Sequence, residues 1–217
     1  LLHSVGTSLG SVTRPETRQL EALKTLIERY EPFLVSDHIS WSRGPAHYHT
    51  DLLPLPYSHE ALDVLVRNVN IMQDHLGRQV LLENPSTYLE FAHQDMDEPA
   101  FLTELVKRSG CGLLMDVNNV FVCASNHGFD PLEYLSQVPW HAVQEIHLAG
   151  HSREERDGHV LRIDDHGSQV SDDVWALYKQ VIHNTGSLPT LIEWDSNIPP
   201  LSTLLNEVDQ ARRVLDA

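Results

Sequence analysis

The chain has 217 residues, 41% of them hydrophobic, which is enough for one domain with a sizeable core. Carboxylates outnumber lysine plus arginine by 31 to 15, giving a formal charge of −16, and this disfavours a surface built to neutralise phosphates and hence a nucleic-acid partner. No apolar run reaches bilayer length, and two cysteines, Cys111 and Cys123, make no disulfide framework, so the expectation is a cytoplasmic protein with no membrane partner.

Short apolar runs alternate with segments of helical period. "LLH" opens the chain, and "TRQLEALKTLIERY" follows with Leu20, Leu23, Ile27 and Tyr30 on one helical face. "FLVSDHISW" at 33–41 reads as a strand. The next helix is expected over 59–76, with Leu62, Leu65, Val69, Met72 and Leu76 as its stripe and Ser58 as N-cap. "QVLLENP" is a third strand, followed by a helix near 99–108 with Pro99 in its first turn and an end by Gly110. "GLLMDVNN" is a fourth strand, followed by a loop and a short helix from about Pro131. "VQEIHLAGH" is a fifth and "HVLRIDDHG", 159–167, a less regular sixth. Ser171 caps a helix carrying Val174, Tyr178, Val181 and Ile182, "TLIEWD" is the last strand, and Leu201, Leu204, Leu205, Val208 and Leu215 mark a closing helix. "REERDG" at 153–158 reads as an exposed loop.

Seven strands alternating with helices imply parallel pairing, because each crossover returns the chain to the same end of the sheet. The expected fold is α/β, a TIM-type (β/α)8 barrel formed by a single domain over 1–217. The chain lacks an initiator methionine and begins in mid-pattern, so the first βα unit is expected to lie upstream. A doubly wound open sheet is the alternative, but no G-x-G-x-x-G follows the first strand.

The strands stop at His3, His38, Glu83, Asp116, His147, the Asp164/His166 pair and Glu193. One such residue at a strand end is usually a solvated edge. Seven strands ending this way in a barrel place a ring of imidazoles and carboxylates at one mouth. Gathered carboxylates repel, and metal cations relieve the repulsion. Nitrogen and oxygen donors without a thiolate suit iron, manganese or zinc, and about eight ligands imply two or three ions. Asn118, Asn119 and His151 are lower-ranked candidates, as further ligands or as groups that orient a ligand. His127 reads as structural; Trp41, Tyr57 and Tyr88 follow the strand-end motifs and have two readings, core packing, which is favoured, and the lining of a peptide groove.

In order along the chain, "LVSDHISWS", "DLLPLPYS", "LLENPSTYLEF", "LLMDVNNVFVCASNHGFDP", "EIHLAGH", "IDDHGSQVSDDVWALY" and "LIEWDSNIP" resemble the multinuclear non-haem iron-dependent oxidative enzymes, a family long known only as a bacterial domain of unknown function. The resemblance covers nearly the whole chain. It implies a TIM-type barrel with two or three iron ions, which uses O₂ to modify cysteine residues in ribosomally made precursor peptides; the best-known member acts in methanobactin biosynthesis with a small partner protein that presents the peptide. The family's metal motifs fall on His3, His38, Glu83 (near the centre of the cluster), Asp116, His147, Asp164, His166 and Glu193. The chain departs from the family's usual residues at Ser4, Asp37 and Asp165. Two competing readings are a metal-dependent hydrolase or isomerase on a similar barrel, of the apurinic-endonuclease or xylose-isomerase kind, and a non-catalytic peptide-binding accessory protein.

Overall fold

A computed structural model describes residues 1–44, 47–156 and 158–216. The chain falls into two compact units, 1–85 with 89–114, and 86–88 with 115–217.

The first unit is a parallel sheet with helical crossovers. Strands β1 (Leu2–His3), β2 (Val35–His38), β5 (Leu81–Glu83) and β6 (Gly112–Asp116, of which 112–114 belong to this unit) are neighbours in that order. The register sets His3 beside Ser36 and His38 beside Glu83, so three strands end at one edge of the sheet. Helix α1 (Thr17–Tyr30) buries Leu20 and Leu23, but Tyr30 is 62% exposed; the apolar face ends before the last turn. Helix α2 (His59–Leu76) buries the whole expected stripe and is capped by Ser58, whose hydroxyl accepts from the Ala61 amide at 3.2 Å. Helix α3 (Glu98–Ser109) starts on Asp97 and ends at Gly110 with φ of 67°, a left-handed cap that glycine adopts without strain. Asn68, fully buried on α2, donates to the carbonyls of Leu9 and Ser11 at 2.8 Å, which fastens the loop after β1 to the helix layer.

The stretch read as one strand to Trp41 divides. β2 stops at His38, and β3 (Trp41–Arg43) pairs antiparallel with β4 (Tyr48–Leu53) in a separate hairpin. Trp41 is half-buried and its Nε1 donates to the Pro54 carbonyl at 3.0 Å, while Tyr57 packs on Phe101 with ring centroids 5.1 Å apart. Both are packing residues, as their positions implied.

In the second unit β7 (Val143–Ala149) and β10 (Thr190–Glu193) pair in parallel. Two expectations change here. Asn118 and Asn119 do not extend the fourth strand. That strand ends at Asp116, whose carboxylate accepts from the Asn119 amide at 2.7 Å and starts helix α4 (Val117–His127) where a loop was expected. "HVLRIDDHG" is not a strand of the parallel sheet. Its first half is β9 (His159–Ile163), paired antiparallel with β8 (Ser152–Arg156), and residues 164–168 are a loop. The "REER" segment expected as a loop is therefore strand β8, while Asp157 lies outside the described residues.

Helices α5 (Pro131–Gln137), α6 (Asp172–Thr185) and α7 (Leu201–Leu215) complete the unit. α6 buries Val174, Tyr178 and Val181, and Ser171 caps it. The stripe expected on α7 is not buried: Leu201 is 68% and Leu205 52% exposed, and the buried residues are Glu207 and Ala211. Glu207 turns inward because its carboxylate accepts from the Val170 amide at 3.1 Å. No helix of the described residues is long and apolar enough to cross a membrane.

Candidate metal centre

In the first unit the ends of three parallel strands bring His3, His38 and Glu83 together. Glu83 Oε2 lies 3.2 Å from His3 Nε2 and 3.3 Å from His38 Nε2, and the two Nε2 atoms are 3.2 Å apart. His3 Nδ1 is engaged by Ser36 Oγ at 2.8 Å, which fixes the ring with Nε2 toward the carboxylate. Ser36 stands opposite His3 in the register, so the strand pairing itself supplies this partner. Asp37 is buried and its side chain accepts the His38 amide at 2.7 Å; burial pushes its pKa up, against the pull of His38.

In the second unit Asp116, His147 and Glu193 each offer a ligand atom, all within 4.8 Å of one another. Asp116 and His147 are fully buried. His147 Nδ1 lies 3.1 Å from Glu193 Oε2. The loop after β9 adds Asp164 and His166: His166 Nε2 is 2.8 Å from Asp164 Oδ1, and its Nδ1 is 3.0 Å from Asp195 and 3.6 Å from the same Glu193 oxygen. Glu193 thus stands between two imidazoles, the position of a carboxylate able to bridge ions. His166 has φ of 46°, a left-handed conformation that histidine tolerates better than most residues. The loop approaches the end of β7 because Gly150 has no side chain; a Cβ there would collide with the Ser168 carbonyl. Asp165 turns to its own loop and accepts from the Gly167 amide at 3.3 Å.

Without a cation His166 stays protonated to high pH. Burial pulls its pKa down, but the hydrogen bond to Asp164 and the charges of Asp164, Asp116 and Glu193 outweigh it and lift the value to about 10. The unfolded chain releases that proton near pH 6.5. The stabilisation is therefore complete below about pH 6.5 and is lost as pH rises through about 10. Thermal melts of the metal-free chain in chelator should show Tm falling across that window, and His166→Asn should flatten the fall. A wild-type profile that rises with pH there would contradict this.

Of the lower-ranked candidates, Asn119 is buried on α4 and its backbone amide donates to the capping Asp116 carboxylate. Asn118 donates to Asp164 Oδ1 at 2.7 Å and receives His151 Nδ1 at 2.8 Å. Burial first, and the Arg162 charge second, push the His151 pKa down. His127 is structural: its Nε2 meets the Thr87 carbonyl at 2.8 Å and holds segment 86–88 to α4. Cys123 is buried, with its sulfur accepting from the Thr87 amide at 3.2 Å.

Two acidic residues went unread in the sequence. One, Asp195, is described above. Glu145 is 1% exposed, two residues before His147 on the same face of β7, and its Oε1 is 3.4 Å from His147 Nε2. The alternation "E-I-H" carried that signal. Tyr88 is 46% exposed rather than packed, and its hydroxyl accepts from the Asp164 amide at 2.9 Å.

The donors in both units are imidazole nitrogens and carboxylate oxygens, gathered where buried negative charge needs a cation, and neither cysteine belongs to a ligand group among the described residues. Residues 1–216 match the family described as RiPP precursor modification enzymes MbnB/TglH/ChrH. The chain belongs to this family. Its relatives include UPF0276 proteins of Vibrio vulnificus strain YJ016, 50% identical over 215 residues (99% of this chain and 74% of the relative), and of Rhizobium meliloti strain 1021, 47% identical over 216 residues (99% and 70%). Among solved structures, a xylose isomerase domain protein of Salmonella typhimurium LT2 aligns with a TM-score of 0.62 at 12% identity, covering 100% of this chain and 76% of that one. A xylose isomerase-like TIM barrel protein of Mycobacterium smegmatis in complex with magnesium aligns at 0.58 and 13% identity, covering 92% and 66%. At that identity the likeness is one of fold. Together with the recurring parallel βα units it establishes the expected TIM-barrel class.

Proposed function

We propose that the chain is a multinuclear non-haem iron enzyme that uses O₂ to modify cysteine residues in a ribosomally synthesised precursor peptide. The observation that carries this reading is the grouping of His3, His38 and Glu83, and of Asp116, His147 and Glu193, at strand ends in a member of a precursor-peptide modification family. The ligand set of the proposal is His3, His38, Glu83, Asp116, His147, Asp164, His166 and Glu193, holding two or three ions. Iron, when bound, supplies the oxidative chemistry that no side chain provides. The protein's own residues hold and orient: Ser36 sets the His3 ring, and Ser86, whose hydroxyl donates to Asp164 Oδ2 at 3.0 Å, sets that carboxylate. The excess negative charge suits a neutral or basic peptide segment, or a small partner protein that delivers the substrate. A cytoplasmic location belongs to the same proposal.

Anaerobic reconstitution with Fe(II), followed by metal analysis and Mössbauer spectroscopy, is expected to find two or three iron ions per chain. One mononuclear site in the intact chain would count against the cluster. A second reading draws on the magnesium held by the Mycobacterium smegmatis neighbour: a metal-dependent isomerase or hydrolase. It predicts turnover of a small substrate without O₂. Failure to take up any transition metal would favour a non-catalytic accessory protein.

A further inference from the structure

Within the second unit, four side chains form one hydrogen-bonded line that ends on Asp164. Arg162, on β9, lies with its guanidinium carbon 4.8 Å from the centre of the Phe121 ring. Its Nε donates to Ser125 Oγ at 2.9 Å and its Nη1 to His151 Nε2 at 2.9 Å. His151 Nδ1 meets Asn118 Oδ1 at 2.8 Å, and Asn118 Nδ2 meets Asp164 Oδ1 at 2.7 Å.

The direction of every bond in the line is forced from its two ends. A guanidinium only donates, so His151 Nε2 accepts and the ring proton sits on Nδ1. Nδ1–H then donates to Asn118 Oδ1. At the other end a carboxylate only accepts, so Asn118 presents its Nδ2 to Asp164. The two ends give the same orientation of the Asn118 amide, although they are argued independently.

We infer that Arg162, His151 and Asn118 are positioning residues that aim the Asp164 carboxylate, and that neither Asn118 nor His151 is a metal ligand. Asn118 Oδ1 accepts from His151, both His151 nitrogens are engaged along the line, and His151 is in none of the ligand groups among the described residues. Asp164 is held from its other sides by Ser86 on Oδ2 and by Tyr88 on its backbone amide. The inference rests on the reading of Asp164 as a ligand. Hydrogen-bonding partners of this kind change metal affinity by about 10–100-fold when removed.

The sharpest test is the sign of one substitution. Asn118→Asp replaces the amide donor with a second carboxylate facing Asp164. Positioning predicts Fe(II) binding weakened by about tenfold or more in an anaerobic titration. A ligand role for residue 118 predicts binding as tight or tighter, and that result would overturn the inference. His151→Asn keeps a donor at the place of Nδ1, so its affinity is expected to lie between those of wild type and His151→Ala; equal loss in both variants would count against the line. A measurement on the unsubstituted, metal-free chain avoids any folding defect: ¹⁵N NMR of His151 is expected to show the neutral ring protonated on Nδ1. A cationic ring, or one protonated on Nε2, overturns the line of bonds. If the unsubstituted chain takes up no Fe(II), the metal reading fails instead, and the tautomer decides the hydrogen-bonded line separately.

Discussion

Glu83→Gln is expected to weaken metal binding by on the order of a hundredfold or more, whereas Asp165→Asn changes it by about twofold at most. Both substitutions remove one negative charge and keep the shape of the side chain, so the comparison isolates position. Glu83 is 2% exposed at the end of β5, with one carboxylate oxygen facing the Nε2 atoms of His3 and His38. Glutamine there leaves a cation's charge uncompensated in a site largely closed to water, and it can place an amide nitrogen where an oxygen donor stood. Asp165 spends its carboxylate on the Gly167 amide in its own loop. Anaerobic Fe(II) titration of both variants, with circular dichroism to verify folding, makes the comparison. Equal losses would mean that the loop after β9 presents Asp165 rather than Asp164.

The strand ends were legible in the sequence because a parallel sheet needs each apolar run to stop at the same edge, and the side chain at the stop is then free to be polar. That rule picked out His3, His38, Glu83, Asp116, His147 and Glu193 without knowledge of the pairing. It was misleading at "HVLRIDDHG". Alternation in a five-residue run reports a strand but not its partner, and β9 pairs antiparallel with β8. The Asp157–Gly158 dipeptide between the two runs was the available hairpin signal. Asp164 and His166 come together at 2.8 Å through a loop, so strand alternation is not what brings them together.

"DVNN" shows a different limit. Asparagine is a poor helix former, and two in a row after an apolar strand read as its polar continuation. The Asp116 carboxylate reverses that preference by capping the amide of Asn119, and the helix begins one residue after the strand ends. The same side chain is a candidate ligand, so the cap and the candidate ligand group share one carboxylate. Tyr88 was read as packing because aromatic residues usually are; its exposure and its bond to the Asp164 amide depend on a segment placed by His127, which no local pattern reveals.

The largest expected effect concerns turnover: it should require Fe(II) and O₂ together and should consume a cysteine thiol of the peptide. Four imidazoles and four carboxylates make up the proposed ligand set, and it contains no thiolate. Cys111 is buried, with its thiol pushed up to about 11 by burial, and Cys123 is buried against Thr87, so the sulfur that reacts is expected to come from the substrate. On the proposed reading the electrons leaving the peptide go to O₂, and a serine in place of cysteine removes the reacting atom.

The decisive measurement is peptide mass and free-thiol content after the iron-loaded chain, together with any small partner protein encoded beside it, is incubated with the precursor peptide encoded nearby, with and without O₂. The account predicts a mass change and thiol loss only when Fe(II) and O₂ are both present, and none with a Cys→Ser peptide. Equal modification in the absence of any oxidant, or identical processing of the Cys→Ser peptide, would contradict it.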